Sequence, residues 1–286
     1  MIKKAIINLF DKLGYRISRA PDKFRFLDYA GYSIESIENK RFYNVGAGSF
    51  FHPHWTNIDF VSDWYAKVQT NVVHYDLMKF EPLPIQPSTA EIIYTSHTIE
   101  HVSEEAVKNL FREAFKALKQ GGVFRVTTGP DAELDWRALK AGDSSWFYWD
   151  EWYKDPGTYE GTYFNPPTSM TLQERWLHHV ASQLVNNDIS PSKVKLTAEQ
   201  ILEIIESKDM ENSLNYFTSL CEFNPERPGN HITWWSYGKI NQYLREAGFT
   251  NVYRSGYGQS ASPILRNVNI FDNTHPQISV YVEAVK

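Results

Sequence analysis

The sequence predicts an α/β fold built on a mostly parallel sheet, with an antiparallel last strand, helices on both faces and a partly helical insertion after the fifth strand. Three observations carry this. Arg41 to Phe60, RFYNVGAGSFFHPHWTNIDF, holds a β-prone run, a glycine turn and a second run ending in an acid. From Ala90 to Thr128 a strand, a helix and a strand follow in order, and two parallel strands joined this way cross over in the right-handed sense. Between Asp131 and about His231 the alternation fails, and it resumes with a helix and two strands from Ser236 to Lys286.

In chain order, Ile2, Ala5, Ile6, Leu9, Phe10 and Leu13 recur at helical spacing and Gly14 ends the pattern. We read residues 2–13 as a helix docked on the protein's own surface, with membrane-surface contact as the alternative. Tyr15 to Lys40 is connecting. Phe42, Tyr43 and Val45 form the first strand, and Gly46-Ala47-Gly48 lets the chain turn sharply and a ligand approach the bare backbone. The second strand ends at Asp59 and Phe60, and the third, NVVHYD, ends at Asp76. Ligands of an open parallel sheet bind beyond the carboxyl ends of its strands. A glycine turn and two carboxylates at neighbouring tips therefore describe a nucleoside-binding crevice. A dinucleotide fingerprint is excluded, because the third glycine position holds Phe51 and Asp59 follows Gly48 too soon.

Pro82, Pro84 and Pro87 force a loop before AEIIYTS, Ala90 to Ser96, a strand of the buried parallel type. HTIEHV follows at its carboxyl end. Ser103 is the expected N-cap of a helix carrying Val107, Leu110, Phe111, Ala114, Phe115 and Leu118 on one face. Gly121-Gly122 is the expected helix stop, and VFRVTT the fifth strand, ended by Gly129-Pro130. The next hundred or so residues are crowded with aromatics, among them Trp146, Trp149, Trp152 and Trp176, with helical period at Met170 to Val185 and Thr197 to Ile205. This segment reads as a cap over the sheet whose rings suit stacking on a sugar or another ring. A helix from Ser236 to Ala247 and strands at Phe249 to Arg254 and Gln277 to Lys286 complete the chain. With no helix between them, the last two strands are expected to pair antiparallel at a sheet edge. The organisation is thus 1–40 N-terminal helix and connection, 41–130 with 231–286 as the core, and 131–230 as the insertion.

At 286 residues and 42% apolar composition the chain can bury a large core. A net charge of −5 without a basic block excludes a nucleic-acid backbone as partner and favours a small-molecule or carbohydrate substrate. Cys221 is the only cysteine, which excludes an intrachain disulfide and a cysteine-built zinc site and points to a reducing, cytoplasmic setting. No stretch approaches the ~20 apolar residues of a membrane span, and no signal-peptide core is read at the start.

Together, NVGAGS, Asp59 after the second strand, YDL at Tyr75 to Leu77, SHTIEHV, LKQGGVFRVTTGP, LREAGF and SVYVEAVK resemble the class I S-adenosylmethionine-dependent methyltransferases of the small-molecule branch. The closeness of Asp59 to the glycine turn, with WTNID, is similar to members encoded near surface-polysaccharide synthesis. The resemblance implies a Rossmann-like core, S-adenosylmethionine as cofactor and transfer of its methyl group to a sugar or other small hydroxylated acceptor. It also implies that Asn44, Gly46, Ala47 and Gly48 surround the methionine end. Asp59, with Phe60 beside it, would hold the ribose hydroxyls, Asp76 the adenine amino group and Leu77 the ring, with Ser96 and His97 near the sulfur. The chain departs from the family at Asn44, where an acid is common, and at Phe50, where a third glycine is common.

Methyl transfer needs alignment and, for a hydroxyl acceptor, a base. His97 and His101, four apart, are the candidates at neutral pH, followed by Asp131 and then Asp150, Glu151, His178 and His179. Two other readings have residues behind them. HTIEH matches the H-x-x-E-H pattern of zinc hydrolases, but no third ligand is indicated, and no metal is expected. A module that binds the cofactor without turnover is the other.

Overall fold

The computed structural model describes residues 26–61, 71–147, 170–185, 194–226 and 228–286. The helix expected at 2–13, the aromatic run beginning at Tyr148, and Asp150 and Glu151 lie outside the described residues.

Seven strands form one sheet: β1 (Phe42–Val45), β2 (Trp55–Asp59), β3 (Val72–His74), β4 (Ala90–Ser96), β5 (Leu118–Thr128), β6 (Asn251–Arg254) and β7 (Val280–Val285). Their order is β3-β2-β1-β4-β5-β7-β6. The strands from β3 through β5 pair in parallel, whereas β7 runs antiparallel to both β5 and β6. The last two strands therefore pair as expected, but β7 lies inside the sheet and β6 forms the edge. Burial follows this order: β7 is almost wholly buried, while β6 keeps exposed ends. The result is a Rossmann-like α/β sheet.

Alternate residues of each strand point to opposite faces. Val45, Ile93, Phe124 and Val282 join one apolar layer with Val107, Leu110 and Phe111 of α2 (Glu104–Ala117) and Ile240 and Leu244 of α7 (Tyr237–Glu246). Phe42, Ile92, Tyr94 and Val123 face a second layer containing Trp55, Leu265 and Phe271, which α1 (Ile34–Glu38) helps cover through Ile37. A third cluster gathers Ala132, Leu139, Phe147, Trp176, Leu177, Ile201, Leu214, Phe217 and Trp234. It is built from α3 (Ala132–Ala141), α4 (Leu172–Val180), α5 (Ala198–Ser207) and α6 (Met210–Ser219).

Helix ends follow their capping residues. Ser103 caps α2, Thr171 and Thr197 form capping boxes on α4 and α5, and Ser236 caps α7. One expected boundary changes. The α2 helix ends at Ala117, and Gly121-Gly122 lies within β5 rather than closing the helix. There the register shifts between Ala90↔Leu118 and Ile92↔Val123, and Gly121 takes φ +78° while its N–H donates to the Lys286 carbonyl at 2.7 Å. The glycines thus absorb an irregularity in the strand. The helices α3 and α6 and the short α1 were not individually legible.

Candidate active site

The order in which the chain adds strands reverses between the parallel neighbours β1 and β4, the place where ligands of open α/β sheets bind. A cavity of about 310 Å³ opens there, lined by Gly46, Ala47, Gly48, Asp59, Phe60, Asp76, Leu77, Ser96, His97 and His101 among others. Asn44 faces a second, more polar cavity of about 300 Å³ with Tyr94, Asn269 and Asn273. The two cavities share Gly46, Ala47, Ser49, Ser96 and Thr274. Phe50 lines the second one and packs against Trp55 and Phe271.

The glycine turn is shaped by two constraints. Gly46 has φ +73°, and a Cβ there would sit 2.2 Å from Thr98 Oγ1, so β1 and the loop after β4 can meet only over a glycine. Gly48, at φ +52°, has open space where a side chain would be. Its N–H donates to Asp59 Oδ2 at 2.7 Å, and the Phe60 N–H donates to Oδ1 at 2.7 Å. The backbone thus orients Asp59, and a carboxylate can accept about four hydrogen bonds in all. Asp76 caps a short turn at Leu77–Lys79 by accepting from the Met78 N–H at 2.9 Å. Val45, Ile58, Leu77 and Val102 supply apolar wall.

At the tip of β4, His97 takes φ +49°, an uncommon conformation for a residue with a side chain. Gly129 leaves room for its ring, since a Cβ there would lie 2.8 Å from His97 Cε1. His97 Nε2 is 3.0 Å from Ser279 Oγ, and Nδ1 is 3.1 Å from Glu100 Oε1, close enough to pair but off the line of a well-formed hydrogen bond. Glu100 is buried, and Thr128 donates to its Oε2 at 2.8 Å. Burial alone would raise the Glu100 carboxyl, but pairing with His97 and the nearby imidazoles of His101 and His231 outweigh it and bring it down to about 2. An ionised carboxylate beside Nδ1 favours the ring proton there, while Nε2 meets the Ser279 hydroxyl, which also reaches the His275 carbonyl at 2.8 Å.

His101 ends a 3₁₀ turn, Ile99–His101, and the two imidazoles stand around Glu100, His97 Nδ1 at 3.1 Å and His101 Nε2 at 4.0 Å from its Oε1. Its Nδ1 donates to the Asn230 carbonyl at 3.1 Å. Asp131 is fully buried and lines neither cavity; it caps α3 by accepting from the Glu133 N–H and pairs with Arg254 at 2.5 Å. Burial raises its carboxyl while Arg254 opposes the rise. His178 and His179 lie in the insertion, where His179 pairs with Asp135 at 2.7 Å. Glu100, His231 and Ser279 were not among the expected site residues. Only Glu100 had a local signal, its position within HTIEH.

Residues 50–126 match a family model described as a methyltransferase domain. No curated protein matches the chain. Among solved structures, it is similar to a SAM-dependent methyltransferase from Archaeoglobus fulgidus at 13% identity and TM-score 0.40, covering 98% of this chain and 99% of that one. It is similar to a SAM-dependent methyltransferase, possible histamine N-methyltransferase, from Thermotoga maritima at 11% identity and TM-score 0.38, covering 91% and 92%. It is also similar to the methyltransferase SibL in its apo form at 14% identity and TM-score 0.36, covering 85% of this chain and 49% of that one. The chain thus spans about half the length of SibL.

The matched residues run from the loop after the glycine turn, through both acid-tipped strands and the His97 tip, into β5. That stretch matches a methyltransferase domain, and S-adenosylmethionine is the cofactor that the resemblance implies. The residues present fit that molecule: two glycines at positive φ, two oriented carboxylates and apolar walls surround one opening. Among the described residues, no helix is long and apolar enough to cross a membrane.

Proposed function

We propose that the protein transfers a methyl group from S-adenosylmethionine to a small hydroxylated acceptor, with a sugar of a surface polysaccharide as the favoured class. One observation carries this reading: Gly46 to Gly48, Asp59 and Asp76 line a single cavity that also reaches His97 and His101. When bound, the cofactor supplies a methyl group on a positively charged sulfur, already activated for transfer.

The residues of this chain have the following roles in that reading. Gly46, Ala47 and Gly48 admit the methionine end against bare backbone, next to buried Asn44. Asp59 accepts from the ribose hydroxyls, with Phe60 alongside, while Asp76 accepts from the adenine amino group and Leu77 lies against the ring. Ser96 and His97 border the reacting end. His97 Nε2 accepts the proton of the acceptor hydroxyl, and the buried Glu100 carboxylate stabilises the imidazolium that forms, as a positioning residue. His101 is the alternative base. The insertion at 131–230 selects the acceptor. A net charge of −5 suits an uncharged acceptor better than a polyanion.

The test is His97→Gln, assayed for methyl transfer against a panel of sugars and for S-adenosylhomocysteine affinity by calorimetry. Turnover is expected to fall by about 10²–10⁴-fold, the usual contribution of a general base, with cofactor affinity changed only a few-fold. Unaltered turnover removes His97 from the base role. Cofactor binding by the wild type without turnover on any acceptor instead supports a binding module.

A further inference from the structure

Six of the chain's nine histidines fall within HTIEH, Leu177–Val180 and the two segments around His231 and His275, and two of them, His101 and His231, gather with Glu100. Glu100, His101 and His231 each place one ligand-capable atom within 4.8 Å of the others. We propose that these three side chains form a divalent transition-metal site at the edge of the cofactor cavity, with its remaining coordination positions open to a hydroxyl of the acceptor.

The tautomers are set for this. His101 Nδ1 donates to the Asn230 carbonyl at 3.1 Å, and His231 Nδ1 donates to the His179 carbonyl at 2.5 Å. Each ring therefore presents Nε2 as a lone pair, and metal-binding imidazoles are held in just this manner by a backbone carbonyl on the other nitrogen. The carboxylate is prepared as well. Glu100 is 1% exposed, Thr128 secures Oε2, and Oε1 has no well-formed hydrogen bond. The buried carboxylate thus has the His97 ring on one side and the His101 and His231 rings within 4.8 Å, an arrangement a cation between the three ligand atoms would complete. His97 Nδ1, 3.1 Å from Oε1, then supports a ligating carboxylate from outside.

The backbone holds the third ligand in place. The Ile232 and Thr233 N–H groups both donate to the Glu100 carbonyl, at 2.9 and 3.2 Å, so the chain returning from the insertion is fastened to the turn that carries Glu100 and His101. The His101 and His231 rings are 4.9 Å apart. His101 Nε2 lies 4.0 Å from Glu100 Oε1. A tetrahedral centre with bonds of about 2.1 Å needs ligand atoms about 3.4 Å apart, a closing within reach of side-chain rotation. Two imidazoles and one carboxylate, without a thiolate, suit Zn²⁺, Mn²⁺ or Fe²⁺. His101 lines the cofactor cavity, which puts the metal beside the reacting end. There it would lower the pKa of a bound hydroxyl. That last role alone rests on the methyl-transfer reading; the metal site does not.

The experiment is a calorimetric titration of the full chain, stripped with chelator and dialysed, with Zn²⁺ alone, and with Co²⁺ followed by its visible absorption. One Zn²⁺ per chain is expected, together with the bands of four- or five-coordinate Co²⁺. His231→Ala and Glu100→Gln should each weaken Zn²⁺ binding beyond the roughly 10–100-fold cost of losing an outer-shell partner, while His74→Ala, on exposed β3 and outside the cluster, should not. Absence of stoichiometric binding by the wild type overturns the site without any variant. Binding that survives both His231→Ala and the milder His231→Gln overturns the assignment of the third ligand. S-adenosylhomocysteine affinity is measured on the same samples. A wild-type chain that binds the cofactor but no Zn²⁺ defeats the metal site alone, and one that binds Zn²⁺ but no cofactor defeats the cofactor reading alone.

Discussion

At the scale of single residues, Asp59 does the work of orientation. The N–H groups of Gly48 and Phe60 fix its two oxygens at 2.7 Å each, so the loop after β1 and the tip of β2 present one carboxylate in one pose. Hydrogen bonds to a charged group contribute about 1.5–3 kcal/mol each, and about 1.4 kcal/mol is a factor of ten. Asp59→Ala is therefore expected to weaken S-adenosylhomocysteine binding by at least about tenfold in calorimetry. Affinity within a factor of two of the wild type would remove the ribose role. This residue was legible because a glycine turn and an acid at adjacent strand tips are local features. Ser279 was not, since it meets His97 across 182 positions and nothing in QISVYVEAVK marks it.

At the scale of elements, Asp131 shows how one residue type can be read two ways. From its place after the fifth strand it was a candidate base. In the fold it accepts from the Glu133 N–H at the start of α3 and pairs with Arg254 of β6, tying the first insertion helix to the sheet edge. Losing an N-cap costs about 1 kcal/mol, and Arg254 loses its partner as well. Asp131→Ala is expected to lower stability by about 1–2 kcal/mol in urea unfolding, with turnover per folded molecule kept. A fall in turnover of a hundredfold or more, with cofactor affinity intact, would return Asp131 to the chemistry. The α3 helix that it caps escaped sequence reading because ELDWRALKA carries buried Asp135, and a polar core position blurs the helical period. The ring N–H of Trp146 and His179 satisfy that carboxylate, and both lie elsewhere in the insertion.

For the whole molecule, the sheet and the insertion have separate apolar clusters, yet the segment from Asn230 to Trp235 fastens the insertion's end to the Glu100 turn. Thr233 Oγ1 donates to the Ile99 carbonyl at 2.9 Å and the Ala132 N–H to the Trp235 carbonyl at 3.0 Å. Buried Arg125 adds a second tie, pairing with Asp272 and Glu283 and so holding the β6–β7 connection that brings Thr274 to the cavity. Trp176, fully buried between Trp136 and Phe217, tests how separable the two clusters are. Trp176→Ala is expected to cost about 3–5 kcal/mol and to reduce acceptor turnover more than S-adenosylhomocysteine affinity. An equal loss of both would mean that the insertion also supports the cofactor cavity.

What the sequence by itself determined is the part governed by neighbours along the chain: strand runs, the glycine turn, capping residues, the helical period of α2 and the acids at strand tips. Those features specify the parallel sheet and the cofactor's end of the crevice, because local conformational preference and hydrophobic period act over a few residues. Tertiary structure alone decided the other end. His231 and Asn230 reach the His97–His101 turn across some 130 positions, Ser279 reaches it from β7's approach, and β7 inserts inside the sheet. Such meetings are set by packing between distant segments, and packing leaves no periodic mark on the chain.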